Sequence, residues 1–266
     1  MSVCAIDFTY DGASLSSKGY MICQFDGGAD TISNGAEITF SEVPLQHGIK
    51  KTIAGVSYDT VITSTFSICK DFCNINTDDI YLSVEDVRAL ARWLQRKEYL
   101  PFVLLCDGYD EITYYGSFGI EQVRSGSNII GLNLTLTTNS PFGWQEEVTK
   151  TVSNIKSFYI DDVSDEIGFL YPRFVITCNE AGDLTISNNR DSGNVARING
   201  CSQSEVITIG HPIITTTLSS THNIANDFNF IFPRIGNTYT TKRNTYTLSL
   251  YCDVAATYRP LAKIGV

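Results

Sequence analysis

Three histidines, at positions 47, 211 and 222, supply all the imidazole in this chain. None lies in a His-x-x-x-His pair, and neither a Gly-x-Ser-x-Gly elbow nor a Gly-x-x-x-x-Gly-Lys-Ser/Thr loop occurs. The nearest approach to a metal set is Cys69-x-x-x-Cys73, with Cys106 and His47 as partners. Structural zinc takes paired, close-spaced ligands, and here there is one pair. Cys69 therefore reads as the end of a strand and Cys73 as local packing, and no metal or cofactor is expected. Acids stand side by side at Asp78-Asp79, Glu85-Asp86, Asp110-Glu111, Glu146-Glu147 and Asp161-Asp162. A glycosidase needs two carboxylates facing each other across a cleft, which adjacency does not supply. With no catalytic residues to assign, the chain is not expected to be an enzyme. Saccharides stack on exposed aromatic rings. Trp93 and Trp144 fall outside the second half, which leaves Tyr171, Tyr239, Tyr246, Tyr251 and Tyr258 as platforms there.

The elements that position these residues read as mostly β. Cys4–Tyr10 is a first strand ended by Asp11-Gly12, and Tyr20–Phe25 a second closed by Asp26-Gly27-Gly28. From Asp26 to Lys51 glycine and polar residues recur, with short β-like runs such as Ala36–Phe40. A passage of this kind is either a mobile loop or an arm ordered by a partner. Val61–Cys69 alternates as a strand. The one convincing helix is predicted over 83–100: Ser83 caps it, Asp86 completes a capping box, and Val87, Leu90, Ala91 and Leu94 form the apolar stripe. Phe102–Leu105 is a buried strand, and Ile112–Val123 with Asn128–Thr138 a hairpin. Asn139-Ser140-Pro141 then stops the last strand, because proline cannot donate to a ladder.

Residues 146–170 are polar and acidic, and read as a linker with an entry strand. From Tyr171 onward short strands follow one another between Gly/Asn/Ser turns, the pattern of a β-sandwich. Phe228, Phe230 and Phe232 are expected on one face. Tyr246, Leu248, Leu250, Cys252 and Val254 form the cleanest period-two run. The organisation is thus an N-terminal β-barrel or sandwich domain with one α-helix (1–145), a linker and entry strand (146–170) and a C-terminal β-sandwich (171–266).

The net charge is −10, and 43% of the residues are hydrophobic. Up to Lys150 there are 10 Lys+Arg against 19 Asp+Glu, giving −9; beyond it 9 against 10, giving −1. A protein that grips phosphates needs a basic face, so nucleic-acid binding is not indicated. No run approaches the roughly 20 apolar residues that span a bilayer, so no membrane insertion is expected. The N-terminus has neither a basic n-region nor an apolar h-region, so synthesis in a cytoplasm is expected. In that setting the eight cysteines read as buried thiols rather than disulfides.

Several local sequences, in their order, resemble a known family. These are Phe8-Thr9-Tyr10-Asp11-Gly12, Arg92-Trp93-Leu94 on the helix, and Tyr114-Tyr115-Gly116. The exit follows as Leu134-Thr135-Leu136-Thr137-Thr138-Asn139-Ser140-Pro141-Phe142-Gly143-Trp144. The second half has Tyr171-Pro172-Arg173-Phe174, Asn226–Phe230, Phe232-Pro233-Arg234-Ile235 and the ending Tyr258-Arg259-Pro260-Leu261. The chain resembles the distal tail proteins of long-tailed bacteriophages, the siphovirus-type tail component family, across essentially its whole length.

That resemblance implies a homohexameric ring in the virion, at the tail tip or baseplate. The ring would join the tail tube protein to the tip or hub protein and leave a channel through which DNA passes without specific binding. The ring-forming N-terminal domain would carry an extended β arm, and the C-terminal domain would be a galectin-like β-sandwich. Almost all of the acidic excess would then belong to the domain lining the bore, where acid repels phosphate. Asp26, Asp30, Glu37 and Glu42, in or near the Gly-rich passage, are the arm and channel candidates, beside the bland reading of solvated loop acids. Pro141, Phe142 and Trp144 mark the seam between the domains. The alternative is a receptor- or glycan-binding tail protein acting through its C-terminal sandwich.

Overall fold

In the computed structural model the described residues are 5–25, 38–44, 51–58, 61–71, 80–106, 108, 111–238 and 240–263. They form two units: Met1–Gln145 with Ala262–Val266, and Glu146–Leu261.

The first unit contains β1 (Ala5–Tyr10), β2 (Ala13–Ser14), β3 (Tyr20–Cys23), β4 (Ile38–Pro44), β5 (Lys51–Tyr58), β6 (Thr63–Lys70), α1 (Val84–Leu94), β7 (Leu100–Cys106), β8 (Thr113–Ser125), β9 (Asn128–Thr138) and β10 (Gly143–Trp144). Its main sheet runs β2-β1-β7-β8-β9-β6-β3, with β10 attached to β8. Phe8, Tyr10, Phe66, Phe102 and Phe118 face inward from this sheet and meet ring to ring, with centroids 5.1–6.2 Å apart. Helix α1 covers them. Trp93 stacks on Phe8 at 5.8 Å and donates its indole N–H to the Tyr10 carbonyl at 3.1 Å.

The helix begins where its cap requires. The Asp86 N–H donates to Ser83 Oγ at 3.1 Å, and the Ser83 N–H donates to the Asp86 carboxylate at 2.8 Å. It ends at Leu94, six residues before the expected Leu100. Residues 95–99 offer no buried face, and Gln95 leaves helical geometry at φ −82°, ψ 88°. Arg96 folds back so that Nε bonds the Trp93 carbonyl at 3.2 Å, and Leu100 is claimed by β7, where it pairs with Gly116. Trp93, absent from the expected stripe, is buried with Leu90 and Leu94, whereas Val87 and Ala91 are only half-buried.

The second unit contains β11 (Val148–Asp161), β12 (Gly168–Leu170), β13 (Arg173–Cys178), β14 (Gly182–Asn188), β15 (Val195–Cys201), β16 (Val206–Gly210), β17 (Ile213–Thr216), the short α2 (Ile224–Asp227), β18 (Ile235–Asn237) and β19 (Arg243–Tyr258); the final strand, β20 (Leu261–Ala262), pairs with β10. β19 organises this unit. Along it every second residue from Asn244 to Tyr258 is buried. Its first half pairs with β14 and its second with β13, while β11 runs beside it throughout. A long strand shared in this way joins the two faces of a sandwich at a corner. β14 continues to β15, and β13 to β16 and β17.

Two expectations change here. The passage 146–170, expected as a linker with an entry strand, is mostly strand, because β11 (Val148–Asp161) is a full member of the sheet. Register shifts at Val152/Ile155 and Ile155/Ser157, with Asn154 at φ 50°, break its period-two pattern and hid its length from the sequence. Phe228, Phe230 and Phe232 do not share a face. Phe228 ends α2 and is buried, whereas Phe230 sits at φ 56° and is 63% exposed.

Candidate functional site

The feature that most invites a partner is the ribbon formed by β4 and β5. Among the described residues these strands pair only with each other, from Ile38↔Tyr58 to Pro44↔Lys51, with one irregularity at Ser41/Glu42. Phe40 stands opposite Val56. Phe40, Val43, Ile53 and Val56 are each 51–56% exposed. A lone two-stranded hairpin is marginal in water, and its outer edges offer unpaired N–H and C=O groups for another strand. Glu42, one of the four acidic candidates, lies on this ribbon in a 2.7 Å ion pair with Lys51, so it adds no unbalanced charge there. Asp26, Asp30 and Glu37 fall outside the described residues.

The ribbon is rooted at the exit segment. Tyr58, the last residue of β5, meets Phe142 edge to face with centroids 4.9 Å apart, and Lys263 Nζ lies 5.5 Å from the Tyr58 ring. Phe142 is thus the base of the ribbon as well as part of the exit. Before it, the chain is held by a short relay. Thr138 Oγ1 accepts the Ile62 N–H at 2.8 Å and donates to the Ser140 carbonyl at 2.8 Å, while the Phe142 N–H donates to Ser140 Oγ at 3.2 Å. Pro141 is half-buried and follows this relay. Trp144 is half-buried and pairs with Thr113 of β8. Between them Gly143 passes so close to its neighbours that a Cβ there would lie 2.3 Å from Ile112 and 2.8 Å from the Tyr114 ring. The role of this glycine is close approach.

The second unit holds a polar cluster that no motif announced. The Glu205 side chain is fully buried, accepts the Ser202 N–H at 2.8 Å and the Thr216 hydroxyl, and faces His222 Nδ1 at 2.6 Å. His222 is 7% exposed, with Nε2 3.5 Å from Asp227. Burial acts to raise the Glu205 pKa, but hydrogen bonds from Thr216, Ser202 and His222 and the imidazole charge hold it below the ordinary value. Burial acts to lower that of His222, and the Glu205 carboxylate outweighs it and brings the imidazole above its ordinary value of 6.5. Seventeen residues separate the partners, which is why spacing did not reveal them. The cluster braces the chain between β16 and α2.

Of the five tyrosines considered as saccharide platforms, Tyr246 and Tyr258 are buried at 0% and 5% exposure. Tyr251 carries Lys156 Nζ over its ring at 4.4 Å. Tyr171 is exposed, with His211 stacked on one face at 4.2 Å, and Tyr239 lies outside the described residues. Among the described residues no group of three or more His, Cys, Asp or Glu could hold a metal. Cys69 is a buried thiol outside any disulfide; Cys73 and His47 lie outside the described residues. No helix among the described residues is long and apolar enough to cross a membrane.

Comparison with known proteins places these features. A family model described as phage tail protein N-terminal domain matches residues 4–140, and one described as phage tail C-terminal domain matches residues 142–258. No curated protein sequence matches the chain. Among solved structures, the SPP1 Dit (gp 19.1) protein, described as a paradigm of the hub adsorption apparatus in phages infecting Gram-positive bacteria, is similar in fold. The TM-score is 0.67 at 13% identity, over 96% of this chain and 99% of that one.

Proposed function

Because this chain belongs to the phage tail protein family, each half matching one of that family's domain models, we infer that it is the distal tail, or hub, protein of a long-tailed phage. In this reading about six copies close a ring, the count implied by the family resemblance, between the tail tube protein and the tip proteins. The ring leaves a channel for DNA and turns over no substrate. The likeness in fold to SPP1 Dit supports the hub role. The observation that carries it is the β4–β5 ribbon, which exposes four large apolar side chains and has two edges unpaired among the described residues.

Strand addition from a neighbouring copy would satisfy both features at once. Fully burying a Val, Ile or Phe side chain stabilises by roughly 1.5–3 kcal/mol, and these four are already about half covered, so the ribbon offers about 3–6 kcal/mol per copy. A ring repeats that contact at every interface. The acidic excess of the first unit suits a bore that must release DNA rather than hold it.

The test is the mass of the full chain by light scattering, with negative-stain imaging, for the wild type and for Phe40→Asp combined with Val56→Lys. The wild type should give a ring, or close one when mixed with tail tubes, and the double variant should stay monomeric at an unchanged melting temperature. A double variant that assembles as well as the wild type sinks the ribbon's role; rings of another stoichiometry correct only the copy number.

A further inference from the structure

Three buried thiols meet in the core of the second unit. Cys178 ends β13, Cys201 ends β15 and Cys252 lies within β19. Each is at most 2% exposed, and all three stand outside any disulfide. The Cys178 side chain is hydrogen-bonded to both of the others. Thiols gathered in this way invite a metal, yet among the described residues no group of three or more His, Cys, Asp or Glu is arranged to hold one.

The ladder singles out one pair. Cys178 is the register partner of Cys252. The Asn179 N–H donates to the Tyr251 carbonyl at 2.9 Å, so the ladder bonds fall on 179/251 and skip 178/252. In an antiparallel sheet a skipped pair has Cα atoms about 4.5 Å apart and brings its side chains together. A disulfide spans roughly 4.4–6.8 Å between Cα atoms, so the backbone is already placed for one. Cys201 has no such register with Cys178, because β14 and β19 stand between β15 and β13 in the sheet.

The neighbours decide which thiol ionises first. The bond with Cys201 acts to lower the Cys178 pKa, but the bond to Cys252 and burial push it up to about 12. Cys252 is held below its ordinary value by its bond to Cys178, against burial. The way in is a turn. The Cys178 N–H donates to the Glu205 carbonyl at 2.9 Å, and the Ser204 N–H donates to the Cys178 carbonyl at 2.7 Å. Local opening of such a turn costs less than global unfolding and admits a small oxidant.

We propose that Cys178 and Cys252 form a redox latch, in which a peroxide joins the two sulfurs and staples β13 to β19. The Cys252 thiolate attacks one peroxide oxygen, the O–O bond breaks, and the departing hydroxide takes up a proton as water. The Cys178 thiol then attacks the sulfenic sulfur of Cys252, forms the S–S bond, and expels the sulfenic hydroxyl with its own proton as a second water. Two thiols are oxidised by two electrons, and one hydrogen peroxide is reduced to two waters. The closed loop carries β14 to β18, and a crosslink of this kind stabilises by restricting the unfolded chain. The inference stands apart from the ring, since it uses residues of the second unit alone.

Trypsin leaves each thiol on its own peptide, 174–190, 198–234 and 244–263. The full chain, freed of reductant and treated with hydrogen peroxide at a dose that consumes glutathione, should give a linked 174–190/244–263 peptide. By calorimetry the transition of the second unit should rise by about 8–17 °C, the usual worth of a disulfide spread over its unfolding entropy. The tryptophan fluorescence midpoint, which reads the first unit, should stay where it was, and dithiothreitol should reverse both changes. Cys252→Ala should abolish the linked peptide and the rise, whereas Cys201→Ala should keep them. Unreacted thiols in the wild type, a bridge to peptide 198–234, a bridge joining two chains, or a linked pair with an unmoved transition overturns the proposal.

Discussion

Replacing Glu205 by Gln tests a fully buried carboxylate of the second unit. The wild-type carboxylate is fully buried and has three donors: the Ser202 N–H, the Thr216 hydroxyl and His222. Glutamine preserves the shape but removes the charge that holds the imidazolium, leaving His222 buried beside Asp227 alone. Breaking one partner of a buried pair costs about 3–5 kcal/mol. With an unfolding entropy of about 2.1 cal/mol/K per residue, a unit of roughly 115 residues should lose about 12–20 °C in its transition. Both tryptophans, Trp93 and Trp144, belong to the first unit. Calorimetry should therefore show the drop, while the tryptophan fluorescence midpoint moves much less. The pH dependence has two arms. His222 is raised above its unfolded value, so its contribution is full below about 6.5, the unfolded value, and is lost as pH rises through the folded one. Glu205 is depressed, so its contribution is present above the ordinary carboxylate value of 4.5 and is lost as pH falls through the folded pKa. Wild-type stability of this unit should peak in mildly acidic to neutral solution, and Glu205→Gln should flatten the alkaline arm. A loss below about 1 kcal/mol, the scale of an ordinary solvated pair, or an alkaline arm unchanged in the variant, would refute the reasoning.

Gly143→Ala should destabilise the first unit by about 1–3 kcal/mol, the range for overpacking, because the new methyl meets Ile112 and the Tyr114 ring; the tryptophan fluorescence midpoint reads it, and an unchanged midpoint means the exit strand can shift aside. Trp144→Ala should speed proteolytic cleavage at Gln145–Glu147 before either unit's thermal transition moves. If it abolishes the first unit's transition instead, Trp144 is core to that unit rather than part of its exit.

Much of the fold was legible because local chemistry and tertiary demand agree. The capping box at Ser83–Asp86 places the helix start, and the alternation from Tyr246 to Val254 marks the strand on which the second unit is built. Where they disagree, the sequence misled. Residues 95–99 favour a helix, yet with no face to bury they yield to β7 and to Arg96 folding back on Trp93. β11 carries two register shifts, so the alternation that would have announced its full length is broken and 146–170 reads as a linker with an entry strand. The family resemblance, the acidic excess of the first half and the β-rich class all follow from residue order and composition, since these depend on types and spacings along the chain. The assembly surface depended on more. That β4 and β5 pair with each other and leave Phe40, Val43, Ile53 and Val56 uncovered, that Phe142 roots them through Tyr58, and that Glu205 finds His222 are contacts between separated segments. So is the exposure of Phe230, which sits at φ 56° beside the bonds of Asn229 to β15. Such contacts are settled by which surfaces remain unpaired once the cores have formed, a quantity that only the tertiary structure decides.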